Sequence, residues 1–304
     1  MFLNDTTGTL NIAHRGTRAY APENTLAAFA KSKLFGCELI ELDVRLSKDG
    51  EVVVYHDEHL KRCTDVIEKF PGRSTYQVAD FTLRELKNLD AGSWYIDQLS
   101  LLIDKRELFL QSVSDDELAQ FVTQDELKHF ASGEIKIPTL IEVFCLAGEI
   151  DLTVNVELKS CSGSDALLVS NVLEIIRTMN MEDRILISSF NHELLITTRK
   201  QSKKIRTAAL VDKLLNNPLT YLKRLKANAY NLGCYRGFSA DRYQSKAGDR
   251  YLQHIKKLRL AGFDVNVWTC NDRDEMEGLL SAGVTGLISD YPNRVKEKIE
   301  GFRN

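Results

Sequence analysis

The sequence predicts an α/β fold, a (β/α)8 TIM barrel with an insertion after its second strand. Three observations carry that prediction, the first two being that short β-rich apolar runs alternate with helical patterns along most of the chain and that the alternation yields eight of each. The third is length. The 304 residues fall within the roughly 200 to 400 that such barrels occupy, and the strand count favours the barrel over a doubly wound open sheet.

The strands are expected at 10–14 (LNIAH), 38–44 (ELIELDV), 151–157 (DLTVNVE) and 185–189 (ILISS), then at 206–210 (RTAAL), 228–232 (NAYNL), 264–269 (DVNVWT) and 285–289 (TGLIS). The helices are expected at about 24–35, 139–148, 165–180, 192–201, 216–226, 248–261, 272–281 and 292–302. Pro22 and Asn24 mark the start of the first, so Glu23 and Asn24 read as residues that cap and anchor it.

Residues 51–138 break the rhythm, separating the second strand from the helix that should follow. They hold an extra strand at 51–55 (EVVVY) and helices expected around 82–89, 104–112 and 115–130. That is too long for a plain loop, so the chain reads as one domain, 1–304, with an insertion at about 57–138 over the face where βα loops build active sites.

With 43% hydrophobic and 27% charged residues the composition is globular. Forty basic against forty-three acidic residues leave a net charge of -3, so no broad positive field draws nucleic acid or anionic lipid. The start, MFLNDTTGTLNIAHRG, lacks a basic segment followed by an apolar stretch, and no run of 18 apolar residues occurs, so the expectation is a soluble, unexported, cytoplasmic protein without stable membrane insertion. A homo-oligomer is compatible with the sequence. The six cysteines, at 37, 63, 145, 161, 234 and 270, form no CxxC pair and read as buried free thiols rather than disulfides or a zinc site.

Two strands carry charge on one face. In residues 40–46, period-two alternation puts Glu41, Asp43 and Arg45 on one side and Ile40, Leu42, Val44 and Leu46 on the other. In the third strand Thr153, Asn155, Glu157 and Lys159 oppose Leu152, Val154, Val156 and Leu158. The outer face of a barrel packs under helices and must be apolar, so both charged faces point into the mouth and three carboxylates converge there. Ionised acids so close together require a compensating cation or large upward pKa shifts, and oxygen donors without thiolates suit a hard cation, Mg2+ or Ca2+. Glu41, Asp43 and Glu157 are therefore candidate ligands of one divalent cation. An alternative is that Arg45 neutralises them as a structural ion pair.

The stretch SKDGEVVVYHD places Asp49-Gly50 between two apolar runs, a hairpin signal. A two-residue turn would pair Lys48 with Glu51, Arg45 with Val54 and Asp43 with His56, folding His56 back beside the acids; a slip of one residue would send it to the other face. At the end of the first strand, His14-Arg15-Gly16 occupies the same mouth, where Gly16 would allow a tight turn or a close approach of phosphate. His59, His129, His192 and His254 lie outside these motifs.

The stretches AHRGTRAYAPENTLAAF, IELDVRLSKDGEVVVYHD and VNVELK together resemble the glycerophosphodiester phosphodiesterase family, supported in order by DAGSWY, IPTLIEVF, SSFNHELL, VNVWTCND and GLISDYP. The resemblance implies a TIM barrel with an insertion after the second strand. It implies His14 and His56 as the catalytic pair, Glu41, Asp43 and Glu157 as metal carboxylates, Arg15 and Lys159 as phosphate contacts, and Trp268 as a pocket wall. The implied reaction is metal-dependent hydrolysis of a small-molecule glycerophosphodiester to an alcohol and glycerol 3-phosphate. Between about 96 and 136 the family pattern lapses into what read as ordinary amphipathic helices. Two other readings accompany this one: a phospholipase D-like enzyme acting on lysophospholipids, and a non-catalytic barrel that binds phosphodiesters or a partner protein.

Overall fold

The computed structural model describes residues 8–160, 163–234 and 246–303; Cys161 lies outside them. Eight parallel strands close into a barrel: β1 (Leu10–Ala13), β2 (Leu39–Leu46), β4 (Thr153–Leu158), β5 (Ile185–Ser189), β6 (Arg206–Val211), β7 (Ala229–Gly233), β8 (Asp264–Trp268) and β9 (Gly286–Ser289). Closure comes from β1, which pairs with β9 on one side and β2 on the other. β3 (Val52–Val54) is the exception, antiparallel to the end of β2.

Helices follow the strands where the periodicity placed them. α1 (Leu26–Lys31) follows β1, α7 (Leu140–Glu149) precedes β4, and α8 (Asp165–Thr178), α9 (His192–Gln201), α10 (Pro218–Leu225) and α11 (Lys246–Leu260) follow β4 to β7. α12 (Arg273–Ser281) and α13 (Pro292–Arg303) follow β8 and β9. α7 opens on a reciprocal cap in which the Glu142 backbone N–H donates to the Thr139 hydroxyl and the Thr139 N–H donates to the Glu142 carboxylate.

Strand alternation sorts the side chains into two environments. Ile40, Leu42, Val44, Val154 and Val156 face outward into one apolar sheath beneath the helices. Leu10, Ile12, Leu39 and Ile288 form a small cluster inside the barrel, and Leu186, Ala208 and Ala229 form another. The inward positions that follow these along each strand are polar, and they form the site.

Several expectations need correction. The first helix begins at Leu26, capped by Thr25, not at 24. Asn24 instead takes a left-handed φ of 56°, which withdraws it from the helix and aims its side chain at β2. Gly16, at φ +78°, does make a close approach, but to α1: a Cβ there would lie 2.7 Å from Ala28. The hairpin register is shifted by one, with Arg45 opposite Val53 and Val44 opposite Val54, because the turn takes three residues between Ser47 and Glu51 rather than two.

Between β3 and α7, the insertion is also more broken than predicted. The helix foreseen at 82–89 is the short α3 (Leu83–Leu86), preceded by α2 (Val66–Lys69). α4 (Ser93–Ser100) was not foreseen, and the helix expected around 104–112 is replaced by two single 3-10 turns at Ile103–Lys105 and Leu108–Leu110. The span 115–130 divides into α5 (Asp115–Phe121) and α6 (Gln124–Phe130), because Thr123 starts a new helix with its own reciprocal cap.

Candidate active site

His14, Glu41, Asn155, Glu157, Lys159, Phe190, Leu210, Trp268 and Ile288 line one cavity of about 130 Å3 with Arg15, Arg18 and His56. Their strand positions explain why. Ile12 and His14 share the inward face of β1 and its extension, as Glu41 and Asp43 do on β2 and Asn155 and Glu157 on β4. The register sets Glu41 beside Asn155 and Asp43 beside Glu157. All eight residues singled out from the sequence therefore meet at one end of the barrel, Asp43 fully buried behind the cavity wall.

Glu41, Asp43 and Glu157 each offer a carboxylate oxygen within 4.8 Å of the other two. Lys159 Nζ bridges Asp43 at 2.9 Å and Glu157 at 2.5 Å, and Arg15 Nε approaches Asp43 at 3.4 Å. Burial raises the Glu41 carboxyl well above its usual range, and Asp43 and Glu157 push it further. Glu157 is raised to about 7, chiefly by burial, with Lys159 opposing and Asp43 assisting. Burial acts on Asp43 too, but Lys159, His56 and Arg15 outweigh it and hold that carboxyl well below its usual range. Two cations do not balance three buried acids, and Glu41 and Glu157 are the two left raised. The all-oxygen donor set and this deficit of positive charge fit a hard divalent cation.

Both histidines are held through Nδ1. His14 Nδ1 donates to Asp290 Oδ1 at 2.6 Å, and His56 Nδ1 to Asp57 Oδ1 at 2.5 Å, the direction a carboxylate acceptor requires. Each Nε2 is thus the nitrogen left for the cavity, that of His14 lying 3.9 Å from Glu41 Oε2. Burial, then Arg18, lowers His14 to about 4 against the pull of Asp290; burial also lowers His56, opposed by Asp43. His56 reaches the cavity by a route other than the expected pairing. The Tyr55 N–H donates to the Asp43 carbonyl, Tyr55 turns into the core, and the chain leaves the sheet. Arg45 then donates through Nε and Nη2 to the His56 carbonyl at 3.0 and 2.8 Å. The guanidinium read as a counter-charge for the acids positions a histidine instead.

Residues not singled out complete the wiring. Arg18 donates to both oxygens of Asp290, at 2.5 and 3.0 Å, and Asn271 donates to Oδ2 at 2.7 Å. Arg62 grips Asp57 and Glu23, and Glu23 also accepts from Arg15. Burial works to raise Glu23, but Arg15, Arg62 and Arg18 hold it well below the usual carboxylate range. Asn24 Nδ2 donates to Asp43 Oδ2 at 2.8 Å. Glu23 and Asn24 therefore serve the charge network, not the helix cap expected of them. Asp290 was visible by the alternation that placed the acids of β2 and β4, since Gly286 and Ile288 face inward along β9 and Asp290 continues the series just past its end. The apolar wall comes from Trp268 and Phe190, whose rings meet edge to face at 5.3 Å, and the Trp268 indole N–H donates to the Asn231 carbonyl.

Comparison with known proteins agrees with this geometry. Residues 14–294 match the glycerophosphoryl diester phosphodiesterase family. The chain belongs to that family. A glycerophosphodiester phosphodiesterase of Caldanaerobacter subterraneus subsp. tengcongensis is 33% identical over 288 residues, covering 93% of this chain and 95% of that protein. One from Bacillus altitudinis is 28% identical over 283 residues, covering 93% and 94%. Among solved structures, a phosphodiesterase of Oleispira antarctica in complex with the product sn-glycerol-3-phosphate superposes with a TM-score of 0.73 at 26% identity, covering 95% of this chain and 96% of that one. This glycerophosphodiester phosphodiesterase family member is accordingly a phosphodiester hydrolase with a TIM-barrel fold. No helix among the described residues is long and apolar enough to cross a membrane.

Proposed function

We propose that the protein hydrolyses water-soluble glycerophosphodiesters to an alcohol and glycerol 3-phosphate with one divalent cation, Mg2+ or Ca2+, held by Glu41, Asp43 and Glu157. The observation that carries this reading is the convergence of two carboxylate-oriented histidines on one cavity with a cluster of three buried acids, two of which line it. When bound, the cation supplies Lewis-acid neutralisation of phosphate charge. Arg15 and Lys159 add positive charge at the same wall, the first as a planar fork and the second as a point charge. His14 and His56 divide the proton work through Nε2, one taking a proton from the attacking hydroxyl and the other delivering one to the departing alkoxide. Trp268 and Phe190 give the glycerol carbons an apolar wall. We read the chain as a single barrel domain with its insertion beside the mouth, and place it in the reducing cytoplasm, which suits its free thiols.

The test is steady-state hydrolysis of glycerophosphocholine and of a lysophospholipid before and after strong chelation. Activity should vanish on chelation, return with Mg2+ or Ca2+, and fall by roughly 100-fold or more in His14→Ala and His56→Ala. Equal turnover after chelation, or full activity in either variant, sinks the assignment. Faster turnover of the lysophospholipid would transfer it to phospholipase D-like chemistry.

A further inference from the structure

Beside the phosphodiester cavity, on the far side of the wall that Trp268, Thr269 and Ile288 form, the fold assembles a second group of ligand atoms from residues distant in sequence: Cys234, Cys270 and Glu275. Cys234 follows β7, Cys270 lies two residues past β8 and Glu275 stands in the first turn of α12. The backbone fixes both cysteines, the Cys234 N–H donating to the Trp268 carbonyl at 2.6 Å and the Cys270 N–H to the Ile288 carbonyl at 2.8 Å. One atom from each residue, two sulfurs and a carboxylate oxygen, lie within 4.8 Å of one another. Around a tetrahedral ion with metal–sulfur bonds of about 2.3 Å and metal–oxygen bonds of about 2.1 Å, such atoms stand roughly 3.5 to 4 Å apart. Side-chain adjustment closes that difference.

Cys270 and Glu275 are buried. Cys234 is half-buried and borders a cavity of about 610 Å3 lined also by Asp212, Leu214 and Tyr251, a way in for an ion and room for a water. This corrects the expectation of scattered, uniformly buried thiols: Cys145 is exposed, and Cys234 and Cys270 are neighbours.

We propose that Cys234, Cys270 and Glu275 form a site for a thiophilic divalent cation, Zn2+ in preference to Mg2+ or Ca2+, with water as the fourth ligand. Sulfur donors make that selection, as the oxygen-only site makes the opposite one. Binding breaks two S–H bonds and forms two metal–sulfur bonds, and the two protons pass to solvent. The ion would tie α12 to the strand end that carries Trp268.

The test titrates the reduced full-length protein, in excess Mg2+, with Cd2+ and follows the thiolate-to-cadmium charge-transfer absorbance. One equivalent should saturate the band, Cys234→Ser or Cys270→Ser should abolish it, and Glu275→Gln should weaken binding tenfold or more, in line with the roughly 10- to 100-fold losses seen when metal sites are perturbed. Cys145→Ser should keep it. In the wild-type protein, Zn2+ should slow alkylation of Cys234 at least tenfold while leaving Cys145 unchanged, a readout that needs no variant to fold. No band at one equivalent, a band surviving in both serine variants, or equal alkylation rates with and without Zn2+ would overturn the site.

Discussion

Asp290 and Asp57 each fix one imidazole by accepting from Nδ1. The tautomer and ring orientation of both histidines are therefore set by residues that need not touch substrate. Asp290→Asn keeps the volume but can offer its amide N–H to His14 and reverse the tautomer. The expected outcome is a fall in kcat of roughly 100-fold or more with KM little changed, measured by steady-state kinetics on protein whose circular dichroism is unaltered. An unchanged kcat would remove Asp290 from the positioning of His14. At this scale the sequence was legible wherever alternation alone decides a side chain's direction, as for Glu41, Asp43, Glu157 and Lys159. Asn24 was not, because its left-handed backbone has no periodic signature, and a residue that reads as a helix start became a ligand of Asp43.

The β2–β3 hairpin shows the same limit in an element. Asp-Gly announced the turn, but whether a turn takes two residues or three is decided by local hydrogen bonds, here Gly50 N–H to the Ser47 carbonyl and Glu51 N–H to the Ser47 hydroxyl. That one residue inverts the predicted face, and the exit of the chain after Val54 restores His56 to the cavity. The insertion is joined to the barrel through α5, whose Glu117 accepts from Arg294 on α13 at 2.7 and 3.1 Å, from Asn293 and from Tyr20. Burial works against the Glu117 carboxylate, but the Arg294 and Asn293 hydrogen bonds lower it to about 2. A carboxyl lowered on folding contributes stability that is present above its ordinary range near 4.5 and is lost as pH falls toward 2. Glu117→Gln should therefore cost about 1 to 2 kcal/mol at pH 7, discounted for solvent screening, and almost nothing near pH 2. Urea unfolding of both proteins across that range checks it; a constant difference would mean that the contact is not electrostatic.

For the whole molecule, the eightfold alternation made the barrel legible, since each strand–helix pair is a local pattern. Closure and the packing of the insertion are long-range, and only folding reveals them. The site loads this barrel with uncompensated acid, so metal and stability should be linked. Mg2+ or Ca2+ at about 100 times Kd should add roughly 2.7 kcal/mol, seen by calorimetry as a higher midpoint. Glu41→Gln should raise the midpoint of the metal-free protein, by relieving repulsion from Asp43 and Glu157, while abolishing the metal-induced rise. A metal-free midpoint below that of the wild type would show that repulsion is not what the cation relieves.

The partnership of His14 with Asp290 spans 276 positions, and the seam between β1 and β9 that closes the barrel is what brings the two together. During synthesis the first half of the barrel leaves the ribosome with its acids and both histidines already present, yet with the His14 ring unheld. If His14 carries the proton work proposed for it, a nascent or prematurely terminated chain lacking β9 should be catalytically silent, with hydrolysis beginning only when β9 docks against β1.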